Sequence, residues 1–367
     1  MATASELYEE GLEAVQSGDL ERAMNCFHWA VQQEDGRAEY HAALGNLYLL
    51  NGDAEAALIH LKQACELDTS SSEHRSDLAG VLFQKGMFRD AIHFYQEAVE
   101  GDPTNAEHFY RLGCAFFYQA EPNYERARAA LRQAAALYPT NDGYQRMLGL
   151  ACYHMGQYAE AADALRAASR LGNSPAVNYN LACSLLAQGE FAEAAEAAER
   201  ALDENEEEWD PRVVRVWARA LHRSEQWEKA LEAFSLAVQL EPDDPRLFEL
   251  QADVLMHLEQ FEKAAMAFKK AALLAPDRAD LHYGQGTALM RAGQPERALG
   301  ALKAALERRP EYADALNNLA LCHHLAGQGE PARVCIARAL ALDPDKPEYK
   351  ATRARLESAG GTDETRT

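Results

Sequence analysis

Positive charge is in short supply. Only 36 Lys and Arg stand against 58 Asp and Glu, a formal net charge of −22. Phosphate contacts dominate affinity for nucleic acid, and anionic lipid surfaces repel the same excess, so neither is an expected partner. No run approaches the roughly 18 apolar residues that span a bilayer, so no membrane-spanning helix is expected. The opening Met-Ala-Thr-Ala-Ser-Glu has no basic region followed by an apolar stretch, so no signal peptide is expected. Glycine and proline are sparse, 22 and 13 residues, and scattered. The seven cysteines are odd in number, form no C-x-x-C pair and fall inside helical patterns. They read as reduced, mostly buried small hydrophobes in a reducing compartment, with soluble cytoplasm the expected location. P-loop, Gly-x-Gly-x-x-Gly, Gly-x-Ser-x-Gly and His-Glu-x-x-His signatures are missing, so no enzyme and no cofactor is expected. Cys322-His323-His324 has metal-ligand residue types, but successive helical residues point about 100° apart and do not converge on an ion.

The hydrophobic fraction is 48%, much of it alanine, a helix-rich composition that makes close helix contacts. An internal repeat organises it. Ala23, Ala57, Ala91, Ala127, Ala161, Ala194, Ala230, Ala264, Ala298 and Ala332 are separated by 34, 34, 36, 34, 33, 36, 34, 34 and 34 residues. Seven residues after each lies another alanine, from Ala30 to Ala339, with a larger apolar group such as Phe27, Leu61 or Phe234 between the two, except for Ala198 in the sixth repeat. Upstream is a small residue: Gly11, Gly45, Ala79, Gly113, Gly149, Ala182, Ala218, Ala252, Gly286 and Ala320. Apolar groups at i, i+3, i+4 and i+7 around it mark one helix face, and the small residue lets two backbones approach. Gly18, Gly52, Gly86, Gly156, Gly189, Gly293 and Gly327 suit the left-handed turn that ends the first helix. Pro103, Pro139, Pro242, Pro276, Pro310 and Pro344 stop the second.

This series, Leu-Gly … Gly-x-Tyr/Phe-x-x-Ala … Phe/Leu-x-x-Ala … Pro with a period of 34, resembles the tetratricopeptide repeat. The resemblance covers residues 4–346 as ten repeats: 4–37, 38–71, 72–105, 106–141, 142–174, 175–210, 211–244, 245–278, 279–312 and 313–346. It implies an all-α, right-handed superhelical solenoid whose concave face is lined mainly by the first helix of each repeat. A polar capping helix is expected at 347–357 and a disordered tail at 358–367. The longer turn at Gln119–Asn123, the short end at Leu171–Ser174 and the acidic run Asp203–Asp210 are the expected irregularities.

A second stripe on each first helix is left to face the groove. The first six repeats contribute Tyr8, Phe83, Tyr110, Phe117, Tyr118, Arg146, Tyr153 and Tyr179, an aromatic lining. The seventh contributes Arg212, Arg215, Arg219, His222 and Arg223, the eighth Arg246, and the ninth Tyr283 and Arg291. The four arginines of the seventh repeat, spaced by three, four and four, share one helix face. Packing between helices is the plain alternative for the aromatics, and a solvated basic face for the arginines. Asn46, Asn180 and Asn318 stand isolated, and no three consecutive repeats complete a two-carboxylate clamp. The expected function is a non-catalytic scaffold or adaptor that holds a protein or peptide, with acidic or C-terminal carboxylate groups on the partner. Self-association is compatible with this. The alternative is a chaperone-like repeat protein of a bacterial secretion or surface-assembly system.

Overall fold

The computed structural model describes residues 2–202 and 209–360. Among them stand twenty-one α-helices and no strand. The chain divides into two compact units, Met1–Gln188 and Gly189–Thr367. The first holds α1 (Ala4–Gln16), α2 (Leu20–Gln33), α3 (Ala38–Leu50), α4 (Ala54–Leu67), α5 (Ser72–Gln84), α6 (Phe88–Gly101), α7 (Ala106–Tyr118), α8 (Tyr124–Leu137), α9 (Asp142–His154), α10 (Tyr158–Leu171) and α11 (Pro175–Gln188). The second holds α12 (Phe191–Ala201), α13 (Pro211–Arg223), α14 (Trp227–Leu240), α15 (Pro245–His257), α16 (Phe261–Leu274), α17 (Ala279–Arg291), α18 (Pro295–Arg308), α19 (Ala313–Leu325), α20 (Gly329–Leu342) and α21 (Pro347–Gly360). Within each unit, every helix packs on the one before and the one after.

The repeat alanines explain the close packing. All ten from Ala23 to Ala332 are wholly enclosed. The small residue of the first helix meets the large apolar residue of the second. A Cβ added to Gly45, Gly113, Gly149 or Gly286 would stand 2.5–2.7 Å from the Cγ of Leu61, Leu131, Leu165 or Leu302, far inside contact distance. The four glycines therefore follow from four leucines that branch at the crossing point. Ala79, Ala218 and Ala320 hold the same register where Tyr95, Phe234 and Ile336 stand instead.

The turns show why glycine recurs. Gly52 has φ 81°; its N–H donates to the carbonyl of Leu49 and that of Asp53 to Tyr48, closing the helix end. Asp53 then caps α4 by accepting from the Ala56 N–H. In the seventh and eighth repeats, Glu225 and Glu259 adopt φ 58° and 57° and keep the same pair of bonds. Each pays about 1 kcal/mol for a conformation glycine takes freely.

The last helix differs from expectation. It continues to Gly360, past the expected end at Glu357, so residues 358–360 are helical rather than tail. It is more than a polar cover, because Tyr349 is buried and its hydroxyl donates to Asp314 at 2.7 Å. Residues 361–367 and 203–208, the bulk of the expected tail and acidic run, lie outside the described residues.

Candidate binding surface on the first helices

In the first unit, α3, α5 and α7 line up equivalent positions one period apart. Asn46, Gly80 and Cys114 form one row, and Leu50, Gln84 and Tyr118 another. Together with Leu49, Asp77, Phe83, Tyr110 and Arg111, and with Tyr95 reaching in from α6, they surround an open hollow of ≈ 620 Å³. Its width arises at Gly80, where a Cβ would find only the Tyr95 hydroxyl, 3.7 Å away.

The polar groups in the hollow answer one another. The Asn46 amide donates to Asp77 Oδ2 at 2.7 Å. Arg111 reaches Asp77 Oδ1 at 3.4 Å and Ser76 Oγ at 3.2 Å, and its Nε donates to Glu107 at 2.8 Å. Tyr144 on α9 donates to the other Glu107 oxygen at 2.9 Å. The chain of bonds crosses four first helices. Burial raises the Tyr95 and Tyr110 phenols above their ordinary range and pushes the Cys114 thiol up to about 11. These three groups are thus neutral at physiological pH, the charges of Asp77 and Arg111 face each other, and much of the remaining lining is aromatic and aliphatic. Such a surface takes an apolar side chain.

The expected aromatics divide. Tyr110, Phe83 and Tyr118 line the hollow, and Tyr118 is 52% exposed. Tyr8 lies outside the hollow, half-buried like Tyr110, with its ring 5.8 Å from Phe27 and 5.0 Å from Tyr40, as the Tyr110 ring is 4.9 Å from Tyr144. Phe117 packs among Tyr118, Tyr124 and His154, and Tyr153 beside Tyr158. Tyr179 is half-buried on α11. In the second unit Tyr283 packs 4.9 Å from Tyr312. Asp77, Gly80, Arg111 and Cys114 are not among the groove residues expected from the sequence, and Asn46, expected to stand isolated, is bonded to Asp77. Their signal was the 34-residue spacing of 46, 80 and 114 and of 77 and 111.

The arginine face of α13 is less uniform than its spacing suggests. Its buried side is Val213, Val214, Ala218, Ala220 and Leu221, so the arginines do point away from the packing. Arg212 turns back on Asp210 at 2.6 Å, the residue that also caps the helix. Arg215 reaches Glu241 at 3.4 Å. Arg223 lies 4.4 Å over the Phe191 ring, and Arg291 lies 4.6 Å over Phe261. His222 bonds Asp253 at 2.8 Å, which holds that carboxyl below its usual range. Arg219, Arg223 and Arg246 are exposed and have no carboxylate partner among the described residues. Cys322 and His323 are buried, with His323 Nδ1 2.6 Å from Gln328.

Tetratricopeptide repeat models match residues 8–72, 185–254, 245–278 and 289–356. The chain belongs to the tetratricopeptide repeat family. A model described as anaphase-promoting complex, cyclosome, subunit 3 matches residues 84–168. Similar solved structures include the pilF protein of Pseudomonas aeruginosa, 25% identical, covering 59% of this chain and 97% of its own, with TM-score 0.47. A structure of MamA is 23% identical over 44% of this chain and 94% of its own, with TM-score 0.41. Yeast Tom70 is 15% identical over 99% and 97%, with TM-score 0.38. No curated protein sequence matches the chain. Tetratricopeptide repeat proteins are generally non-catalytic scaffolds for protein–protein interaction.

Proposed function

We propose that this chain is a non-catalytic scaffold that holds a segment of a partner protein on the first helices of its repeats. The hollow between α3, α5 and α7 carries the reading. Asn46, Asp77, Arg111 and Glu107 are bonded to one another, so an apolar side chain entering the hollow leaves those groups partnered. Arg219, Arg223 and Arg246 supply positive charge on first helices of the second unit, suited to carboxylates of the partner. The seven cysteines stand as thiols, as suits a reducing, cytoplasmic setting.

The test is Gly80→Leu, which grows a side chain into the hollow without meeting backbone. Affinity capture from the source cell should recover a stoichiometric partner with the wild-type chain and lose it with the variant, at unchanged helical circular dichroism. Capture of the same partner by both forms would remove the hollow from the function.

A further inference from the structure

The second helices of the second unit carry an opening that the proposed function does not use. It is floored by Phe248, Gln251 and Leu255 of α15 and walled by α14 and α16, with a volume of ≈ 390 Å³. At about 100° per residue, these floor positions lie nearly half a turn round α15 from Arg246, so this is a different face. Gln251 donates to Ser235 Oγ at 3.1 Å, and Ser235 donates to the Leu231 carbonyl at 2.6 Å. The polar floor groups are therefore occupied and what remains is apolar.

Met266 on the rim is 69% exposed, as is Leu273 further along α16. The same register in the neighbouring second helices holds Glu232 and Gly300, whereas in the second and tenth repeats it also holds exposed apolar residues, Ile59 and Val334. A thioether there is an adaptable apolar contact. Charge points the same way. Lys263, Lys269 and Lys270 set against Glu262 give α16 a net charge of +2 within a chain of −22. None of the three lysines pairs with a carboxylate among the described residues. Lys263 instead donates to Gln260 at 2.8 Å, and Lys270 sits 6.0 Å from the Phe248 ring.

We propose that this opening is a second docking site, for a partner peptide segment that presents one large apolar side chain flanked by carboxylates. The apolar residue enters between α14 and α16 against Phe248 and Met266, and the carboxylates meet Lys263 and Lys270. The acidic remainder of the surface repels the same segment elsewhere, which confines it to α16. Attraction of this kind weakens as salt screens it.

A random-peptide phage library selected on the full chain tests this, with Lys263→Glu/Lys270→Glu, Met266→Gln and Gly80→Leu as comparison chains. Selection on the wild type should enrich peptides with an apolar residue between acids. Their binding should fall about tenfold in both α16 variants and stay unchanged in Gly80→Leu, which separates this site from the hollow of the first unit. Enriched peptides without acids, or binding indifferent to the lysine exchange, would overturn the proposal. So would sedimentation with phosphatidylserine vesicles that depends on the lysines without acidic peptides being enriched, which would assign the face to an anionic membrane.

Discussion

Adding one methyl group at Gly113 tests the packing logic of the repeat. Its Cβ would stand 2.5 Å from Leu131 Cγ, 2.9 Å from Cδ2 and 3.2 Å from the Ala127 carbonyl oxygen. Leu131 is wholly buried and has nowhere to retreat. Two effects oppose each other in Gly113→Ala. Replacing a mid-helix glycine stabilises by up to about 1 kcal/mol, while overpacking costs about 1–3 kcal/mol. The expected net is a loss of about 1–2 kcal/mol, read as a lower urea midpoint by circular dichroism. Gly300, inside α18 with nothing within 4 Å of its Cβ, is the control: Gly300→Ala should stabilise by about 0.5–1 kcal/mol. Leu131→Ala alone should cost about 2–5 kcal/mol. Adding Gly113→Ala to that variant should do no further harm, since the clashing branch is gone. A Gly113→Ala chain as stable as the wild type would refute the steric reasoning.

Glu225→Gly should raise stability by about 1 kcal/mol by relieving its left-handed backbone, with Glu259→Gly behaving alike; a fall in the urea midpoint of either would count against the turn assignment. Burial lifts the folded thiols of Cys114 and Cys152 from the ordinary 9.0 to about 11 and about 12. Their contribution is therefore level below pH 9 and declines from there to about pH 12, as the unfolded thiols ionise first; a urea midpoint that holds or rises between neutral pH and about pH 10 would contradict this. Arg219→Glu with Arg246→Glu should weaken binding of a carboxylate-bearing partner about tenfold at constant helicity, as measured by calorimetry against the captured partner. Unaltered affinity would leave those arginines as solvated surface.

The helices were legible because the repeat imposes its own register. A period of 34, alanines at fixed offsets and glycine in the turns together specify where each helix begins, what it buries and how it ends. Glu225 and Glu259 show the limit of composition as a guide: no turn glycine marks these positions, yet the chain takes the same left-handed turn, because the bonds to Leu221 and Leu255 outweigh the local strain. The binding surface was only half legible. Tyr110 and Phe83 line the hollow, and Tyr8 and Phe117, of the same residue types, do not, although all four pack against neighbouring rings. Residue type alone does not separate these cases; the direction of the side chain does. The arginine face was visible as spacing, whereas its partial neutralisation by Asp210 and Glu241 depends on residues two and twenty-six positions away in the chain.

Photocrosslinking addresses the scaffold reading most directly. Benzoylphenylalanine placed at Tyr118, at the mouth of the hollow, and separately at Ile59, which is 67% exposed on the second helix α4, samples two faces of the same unit. Irradiation in the source cell should join a discrete partner protein to the Tyr118 chain and not to the Ile59 chain, and Gly80→Leu should abolish the adduct. An adduct from Ile59 alone, or none from Tyr118, would contradict binding on the first helices.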